Sequence, residues 1–339
     1  MIIIKGYDLI GMDVPNGVRF AWGGDRLGTL VESAAFNVRT KLGGESISAY
    51  TTSVSAGCIL RCQGCPCVFC RTGRVLPFGR MLTYKEIAKQ NIFMALVDMN
   101  CDGQLSLANQ PREFAYMGQG EPGYSYSQVR MAIELTNRAM KALGQTVYRH
   151  IIATSGVPEI IQSIKTDIQH YYTERVTLHL SLHAAKQRSL LMPINEIYPL
   201  EDVIKHTDDL AAVANEKLCV GIMLFWNFRC KGAAWTYSNT IENLMPLLDM
   251  LDPSIYRLSF CEYNATPDVA DAETYPEIEK QRLMQVVENL HFEAKFFSSF
   301  GKEELTACGL LGGKQPSRPV SEKWYRLECV AEELIDKLD

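Results

Sequence analysis

Ser53-Val-Ser-Ala-Gly57-Cys58-Ile-Leu-Arg-Cys62-Gln-Gly-Cys65-Pro-Cys67-Val-Phe-Cys70-Arg-Thr-Gly73 is the stretch on which the reading of this sequence turns. It emerges from an apolar, β-rich run at 47–55, and similar runs follow at 113–118, 147–153, 176–182, 218–225, 256–262 and 292–297. Helical patterns lie between them. Thr83-Tyr-Lys-Glu86 is a capping box that opens a helix to about residue 99. Further helices are expected at 127–143, closed by Gly144, and at 201–215, 240–251 and 276–290. Strand–helix alternation of this kind predicts a parallel sheet with helices outside it. Six or so units suit an α/β fold of the incomplete (β/α)6 barrel type. Such barrels carry their chemistry at the C-terminal strand ends, where the cysteine stretch falls.

Outward from that core, residues 1–46 break the rhythm with glycines and short β-like pieces, and read as a small β-rich N-terminal extension. Residues 47–313 form the barrel core. Residues 314–339 read as a linker and a C-terminal amphipathic helix, with Trp324, Leu327, Val330, Leu334 and Leu338 on one face, expected to dock on the barrel. The chain has 339 residues, 47% hydrophobic and 22% charged, which excludes wholesale disorder. Its net charge of −5 argues against a generally basic, polyanion-binding surface. No apolar run is long enough to span a bilayer, and the apolar start stops at Lys5 without a basic leader, so a cytoplasmic protein is expected.

Of 11 cysteines, five lie between Cys58 and Cys70, a density that suits metal or redox chemistry and not a disulfide framework. Cys58, Cys62 and Cys65 have three and then two residues between them. Three thiolates on one compact loop can hold an iron–sulfur cube and leave one iron open to a ligand. Strict spacing selects Cys65 as the third ligand. Cys70, which follows an aromatic residue, is the rival, and Cys67 has no assigned role. A zinc knuckle is the competing reading, but its cysteine pairs are ordinarily farther apart and no histidine lies near.

The three-thiolate pattern resembles that of the radical S-adenosylmethionine (SAM) enzymes, and ordered motifs sharpen the resemblance to the RlmN/Cfr family of RNA methyltransferases. These are Tyr116-Met-Gly-Gln-Gly-Glu-Pro122, Ala153-Thr-Ser-Gly156, Leu180-Ser-Leu-His-Ala184, Asn264 and Ala307-Cys308-Gly-Leu-Leu-Gly312. The resemblance implies a [4Fe–4S] cluster, SAM, and a low-potential electron donor of flavodoxin or ferredoxin type. It implies SAM contacts from Gly120, Glu121, Ser155, Ser181, Leu182, His183 and Asn264. Cys308 would accept a methyl group from one SAM and pass it, after radical activation by a second, to an sp² carbon of adenosine in RNA. Glu32, in Leu30-Val-Glu-Ser33, resembles the family's N-terminal acid, with a proton-removing or substrate-orienting role. Two departures stand out. The family's second catalytic cysteine falls on Thr51, and the family's helical RNA-binding domain is not matched by residues 1–46. Hydrogen abstraction from a small molecule, nucleotide or peptide, without a methylated cysteine, is therefore the alternative chemistry. A non-catalytic zinc protein is the remote one.

Overall fold

Strands buried on both faces need apolar side chains on both, and the β-rich runs supply them. A computed structural model of the chain describes residues 8–14, 17–23, 30–42, 45–100, 110–214, 216–266, 268–297 and 322–339. Ten strands form one sheet in chain order. These are β1 (Asp8–Val14), β2 (Gly17–Gly23), β3 (Val31–Leu42), β4 (Glu45–Thr51), β5 (Arg112–Tyr116), β6 (Val147–Thr154), β7 (Val176–Ser181), β8 (Leu218–Leu224), β9 (Tyr256–Glu262) and β10 (Glu293–Phe297). From β4 to β10 every neighbouring pair is parallel, while β1, β2, β3 and β4 pair antiparallel. β1, β2 and β3 extend the sheet at the β4 edge.

Six crossovers join the seven parallel strands, each with its own helix, as the six-unit reading expects. They are α1 (Tyr84–Asn100), α2 (Tyr126–Ala142), α3 (Pro158–His170), α4 (Leu200–Ala211), α5 (Ile241–Leu248) and α6 (Glu277–Asn289). No pairing closes the sheet among the described residues. The capping box forms, since Thr83 N–H donates to Glu86 Oε2 at 2.8 Å and Glu86 N–H reaches Thr83 Oγ1 at 3.4 Å. In α4 the buried residues Leu200, Val203, Ile204, Thr207 and Leu210 recur at helical spacing, and the helix packs beside α3.

α1 differs, because Ile87, Ala88, Ile92, Phe93, Met94 and Ala95 are all fully buried around its circumference. The reason is a second cover. The C-terminal helix α7 (Glu322–Leu338) packs on α1 and α2. Docking on the chain's own core was expected, but the buried face is rotated from the expected stripe. Glu328, Ala331, Glu332 and Ile335 are buried, Trp324, Leu327, Leu334 and Leu338 are half-buried, and Val330 is exposed. The cause is Lys89 on α1, which is fully buried. Its Nζ donates to Glu328 Oε1 and Glu332 Oε1, both at 2.7 Å, and draws the two glutamates inward.

Candidate active site

The parallel strands β4 to β9 end on the same side of the sheet, and Gly120, Glu121, Ser155, Ser181, Leu182, His183 and Asn264 lie at or just beyond those ends. After β4 the chain runs through Ser53 and Ser55. After β5 it makes the turn Gly118–Glu121, pressed against those serines. A Cβ on Gly118 would lie 2.6 Å from Ser53 Oγ, and one on Gly120, whose φ is +103°, would collide with Ser55 Oγ. Only glycine permits that approach. Gln119 N–H donates to Ser53 Oγ at 2.8 Å and its carbonyl accepts from Val54 N–H at 2.9 Å, so the turn is fixed from both sides.

This turn delivers Glu121, which is 4% exposed, to the end of β6. Its Oε1 accepts from Gly123 N–H at 3.0 Å and from the Thr154 hydroxyl. Its Oε2 accepts from Ser155 N–H at 2.9 Å and from the Ser155 hydroxyl. Four donors thus meet the four lone-pair positions of one carboxylate. A cationic donor could reach this carboxylate only if one of the two hydroxyls rotated away from it.

Ser155 is held from behind by Arg188, a guanidinium only 1% exposed. Arg188 donates to Ser155 O at 2.8 Å, to Leu182 O at 3.3 Å and to Asn195 Oδ1 at 2.6 Å, so it clamps the ends of β6 and β7 together. Burial lowers its pKa to about 10. At the tip of β7, Ser181 is half-buried and Leu182 is fully buried. His183 has φ +62°, and its Nδ1 accepts from Met223 N–H at 3.0 Å. Burial, then Arg188, pushes its imidazole down to about 3, so it is neutral near pH 7. Beyond β9, Asn264 is buried, and its Oδ1 has no hydrogen-bond partner among the described residues. A buried acceptor without a donor is costly, and a ligand amine or hydroxyl would relieve it.

The cysteine loop lies across these strand ends. Two short helical turns, Ile59–Cys62 and Arg71–Val75, flank it. Arg61 staples them by donating to the carbonyls of Arg74 at 2.9 Å and Leu76 at 2.8 Å. Val68 N–H donates to Leu191 O at 2.9 Å, the Phe69 ring stands edge-on to His183 at 5.0 Å, and Tyr263 Oη donates to Phe69 O at 3.3 Å. Cys58 and Cys65 are buried, Cys67 and Cys70 are partly covered, and Cys62 is exposed. Burial pushes the Cys58 thiol up. The neighbouring Cys70 adds to this, and Glu121 and then Cys65 contribute smaller amounts. Burial likewise raises Cys65, Cys67 and Cys70. Glu121 and both rival third ligands therefore lie within electrostatic reach of Cys58. No three histidine, cysteine, aspartate or glutamate side chains among the described residues are drawn together tightly enough to hold a single metal ion. A cube of four irons holds its thiolates farther apart than one ion does, and bound iron deprotonates a coordinating thiol outright.

Glu32 is fully buried on β3. One oxygen forms an ion pair with Arg19 on β2, which is 1% exposed, and Oε2 accepts from Gln119 Nε2 at 3.0 Å. Nothing in the local sequence marked Arg19 or Gln119. Only the pairing of β2 with β3, Ala21 opposite Glu32, brings Arg19 within reach. Thr51 ends β4, half-buried opposite Ala34. Cys308 and its glycines lie outside the described residues, so the structure says nothing of their placement. No helix among the described residues is long and apolar enough to cross a membrane.

No family model matches the chain. Curated relatives do. A probable dual-specificity RNA methyltransferase RlmN from Petrotoga mobilis is 36% identical over 165 residues, 48% of this chain and 43% of its own length. The ribosomal RNA large subunit methyltransferase Cfr from Staphylococcus warneri is 27% identical over 288 residues, 82% of this chain and 72% of its own length. The chain is a divergent relative of RlmN and Cfr. A radical SAM methyltransferase from Sphaerobacter thermophilus shares the fold, with a TM-score of 0.72 at 19% identity over 90% of this chain and 81% of that one. Against the first curated relatives, this chain spans less than half of their length.

The family implies a [4Fe–4S] cluster and SAM. The residues present fit both groups. A thiol-rich loop lies beside a fixed carboxylate, and Asn264 presents an orphaned acceptor on the same side of the sheet.

Proposed function

We propose that this chain is a radical-SAM methyltransferase that acts on adenosine in RNA through a methylated Cys308. Support comes chiefly from one juxtaposition: the cysteine loop is tied to the β7 end of the sheet, Val68 to Leu191 and Phe69 against His183, next to the β6 end where Thr154 and Ser155 fix Glu121. Cys58 and Cys62, with Cys65 or Cys70 as the third thiolate, would hold the cluster. Gly120, Glu121, Ser155, Ser181, Leu182, His183 and Asn264 would hold SAM. When bound, the cluster supplies a low-potential electron, and SAM supplies both the methyl group and a carbon-centred radical.

The protein's own part is orientation and exclusion of water. Glu121 and the hydroxyls of Thr154 and Ser155 form an acceptor set for an ammonium. The carbonyl clamp of Arg188 keeps that set in place. His183, neutral and tied to β8, closes one wall without adding charge. Cys308 must offer a thiolate to accept the methyl. An external low-potential protein would deliver the electrons.

The test is peptide mass spectrometry after anaerobic reconstitution with iron, sulfide and methyl-labelled SAM. A labelled methyl on Cys308 is expected, and Cys308→Ala should abolish it and methylation of an RNA oligonucleotide. An unmodified Cys308 in a protein that cleaves SAM would overturn the methyl-carrier reading and leave hydrogen abstraction in its place.

A further inference from the structure

Arg19 and Glu32 form an ion pair that is 1% and 0% exposed. Burying two charges is expensive, and well-packed apolar side chains in their place are often as stable or more so. Stability is therefore a poor reason for the pair. Its position suggests another. Glu32 Oε2 holds Gln119 Nε2, and Gln119 stands between Gly118 and Gly120, two residues before Glu121. Gln119 is fully buried and its Oε1 has no hydrogen-bond partner among the described residues, where the contact with Glu32 is what orients its side chain. The Glu32 carbonyl also accepts from Ser53 Oγ, which in turn accepts from Gln119 N–H.

We infer that Arg19, Glu32 and Gln119 form a buried chain through which the antiparallel strands β2 and β3 position the Gly118–Glu121 turn for SAM. All three are positioning residues. Arg19 fixes the Glu32 carboxylate, Glu32 fixes the Gln119 amide, and Gln119 sets the backbone from which Glu121 projects. Glu32 faces Arg19 and Gln119, an arrangement that suits a clamp better than a proton acceptor. This inference rests on the reading of the site as a SAM site.

The test measures SAM binding directly, by titration calorimetry on anaerobically reconstituted full-length protein, with iron, sulfide and melting temperature recorded for each variant. Gln119→Leu removes one amide and no charge. The double change Arg19→Met with Glu32→Leu removes both charges together. Both should retain wild-type cluster content, and the double variant should melt no lower than the wild type. Both should bind SAM about tenfold more weakly, the scale of one buried hydrogen bond to a charged group. The single change Glu32→Gln, which keeps the bond to Gln119, should recover part of that loss. Folded, cluster-loaded variants that bind SAM as tightly as the wild type would overturn the inference. If the double variant does not fold, Gln119→Leu decides. A wild-type protein that binds no SAM would instead remove the reading of the site itself, and the two failures are distinguished by that control.

Discussion

Glu121 has two oxygens and four donors, and the match of those numbers makes it sensitive to a conservative change. Glu121→Gln replaces one acceptor oxygen by an amide that faces donors already in place. We expect a loss of about 2 kcal/mol in urea unfolding and at least tenfold weaker SAM binding in calorimetry. An unchanged SAM affinity would show that the carboxylate is only structural. His150 makes a pH-dependent case. Its Nδ1 meets Tyr116 Oη at 3.1 Å, its Nε2 meets Asn137 Oδ1 at 2.7 Å, and burial pushes its pKa down to about 3. The unfolded chain protonates this histidine near pH 6.5 and the folded chain does not. Above pH 6.5 the group therefore costs nothing. As pH falls from there toward 3, stability is lost at about 1.4 kcal/mol per pH unit. Urea midpoints measured from pH 7 to 5 should fall, and His150→Asn should reduce the slope by one proton. Equal slopes in both proteins would contradict this. At this scale the candidate site was legible where a motif carries it. Glu121 and Ser155 lie at strand ends because short glycine- and hydroxyl-rich turns specify such places. Arg19 and Gln119 were not legible, since their roles arise from strand pairing across residues distant in sequence.

Among the elements, period and punctuation carried most of the information. The capping box at Thr83 and Gly144 after α2 fix helix ends by local chemistry, and the structure places those ends within a residue or two of expectation. Helix α3 (Pro158–His170) went unread, although Pro158 at its first turn and Ile160, Ile161 and Ile164 on its buried face fit the same rules. Its length was no obstacle, since α4 and α5 are shorter and were read. The face of α7 was misjudged for a deeper reason. Hydrophobic periodicity cannot foresee that two glutamates will be buried because a lysine elsewhere is buried with them. That arrangement is itself a prediction. Lys89→Met leaves two carboxylates facing each other in the core and should destabilise the protein by about 3 kcal/mol, measured by urea unfolding. The same change should expose α7 to proteolysis before the sheet unfolds. Adding Glu328→Leu and Glu332→Leu should restore stability, because the uncompensated charge goes with them. A Lys89→Met protein as stable as the wild type would show that the glutamates reach water.

For the whole molecule, the question is whether the cluster holds the fold or the fold holds the cluster. Small metal domains fold only with their metal, because the ligands are their core. Here the sheet and its helices bury a large apolar core of their own, in which Ile152, Leu178, Val220, Leu258 and Phe260 are all at most 2% exposed. The cysteine loop is also tied down without metal, through Arg61 to the carbonyls of Arg74 and Leu76, Val68 to Leu191, and Tyr263 to Phe69. Removing iron should therefore leave the fold intact while it abolishes SAM binding. We expect the circular dichroism spectrum of chelator-treated protein to match that of the loaded form, with a melting temperature only a few degrees lower, because the stabilisation that a bound group adds is limited to its binding free energy. Calorimetry should show no SAM uptake without iron. Cys58→Ser should reproduce that behaviour, since it removes a buried thiol whose neighbours include both Cys65 and Cys70. Comparing iron content in Cys65→Ser and Cys70→Ser then identifies the third ligand: the substitution that lowers bound iron as far as Cys58→Ser marks it. Global unfolding on chelation would reverse the argument and make the cluster the organiser of the β4 side of the sheet.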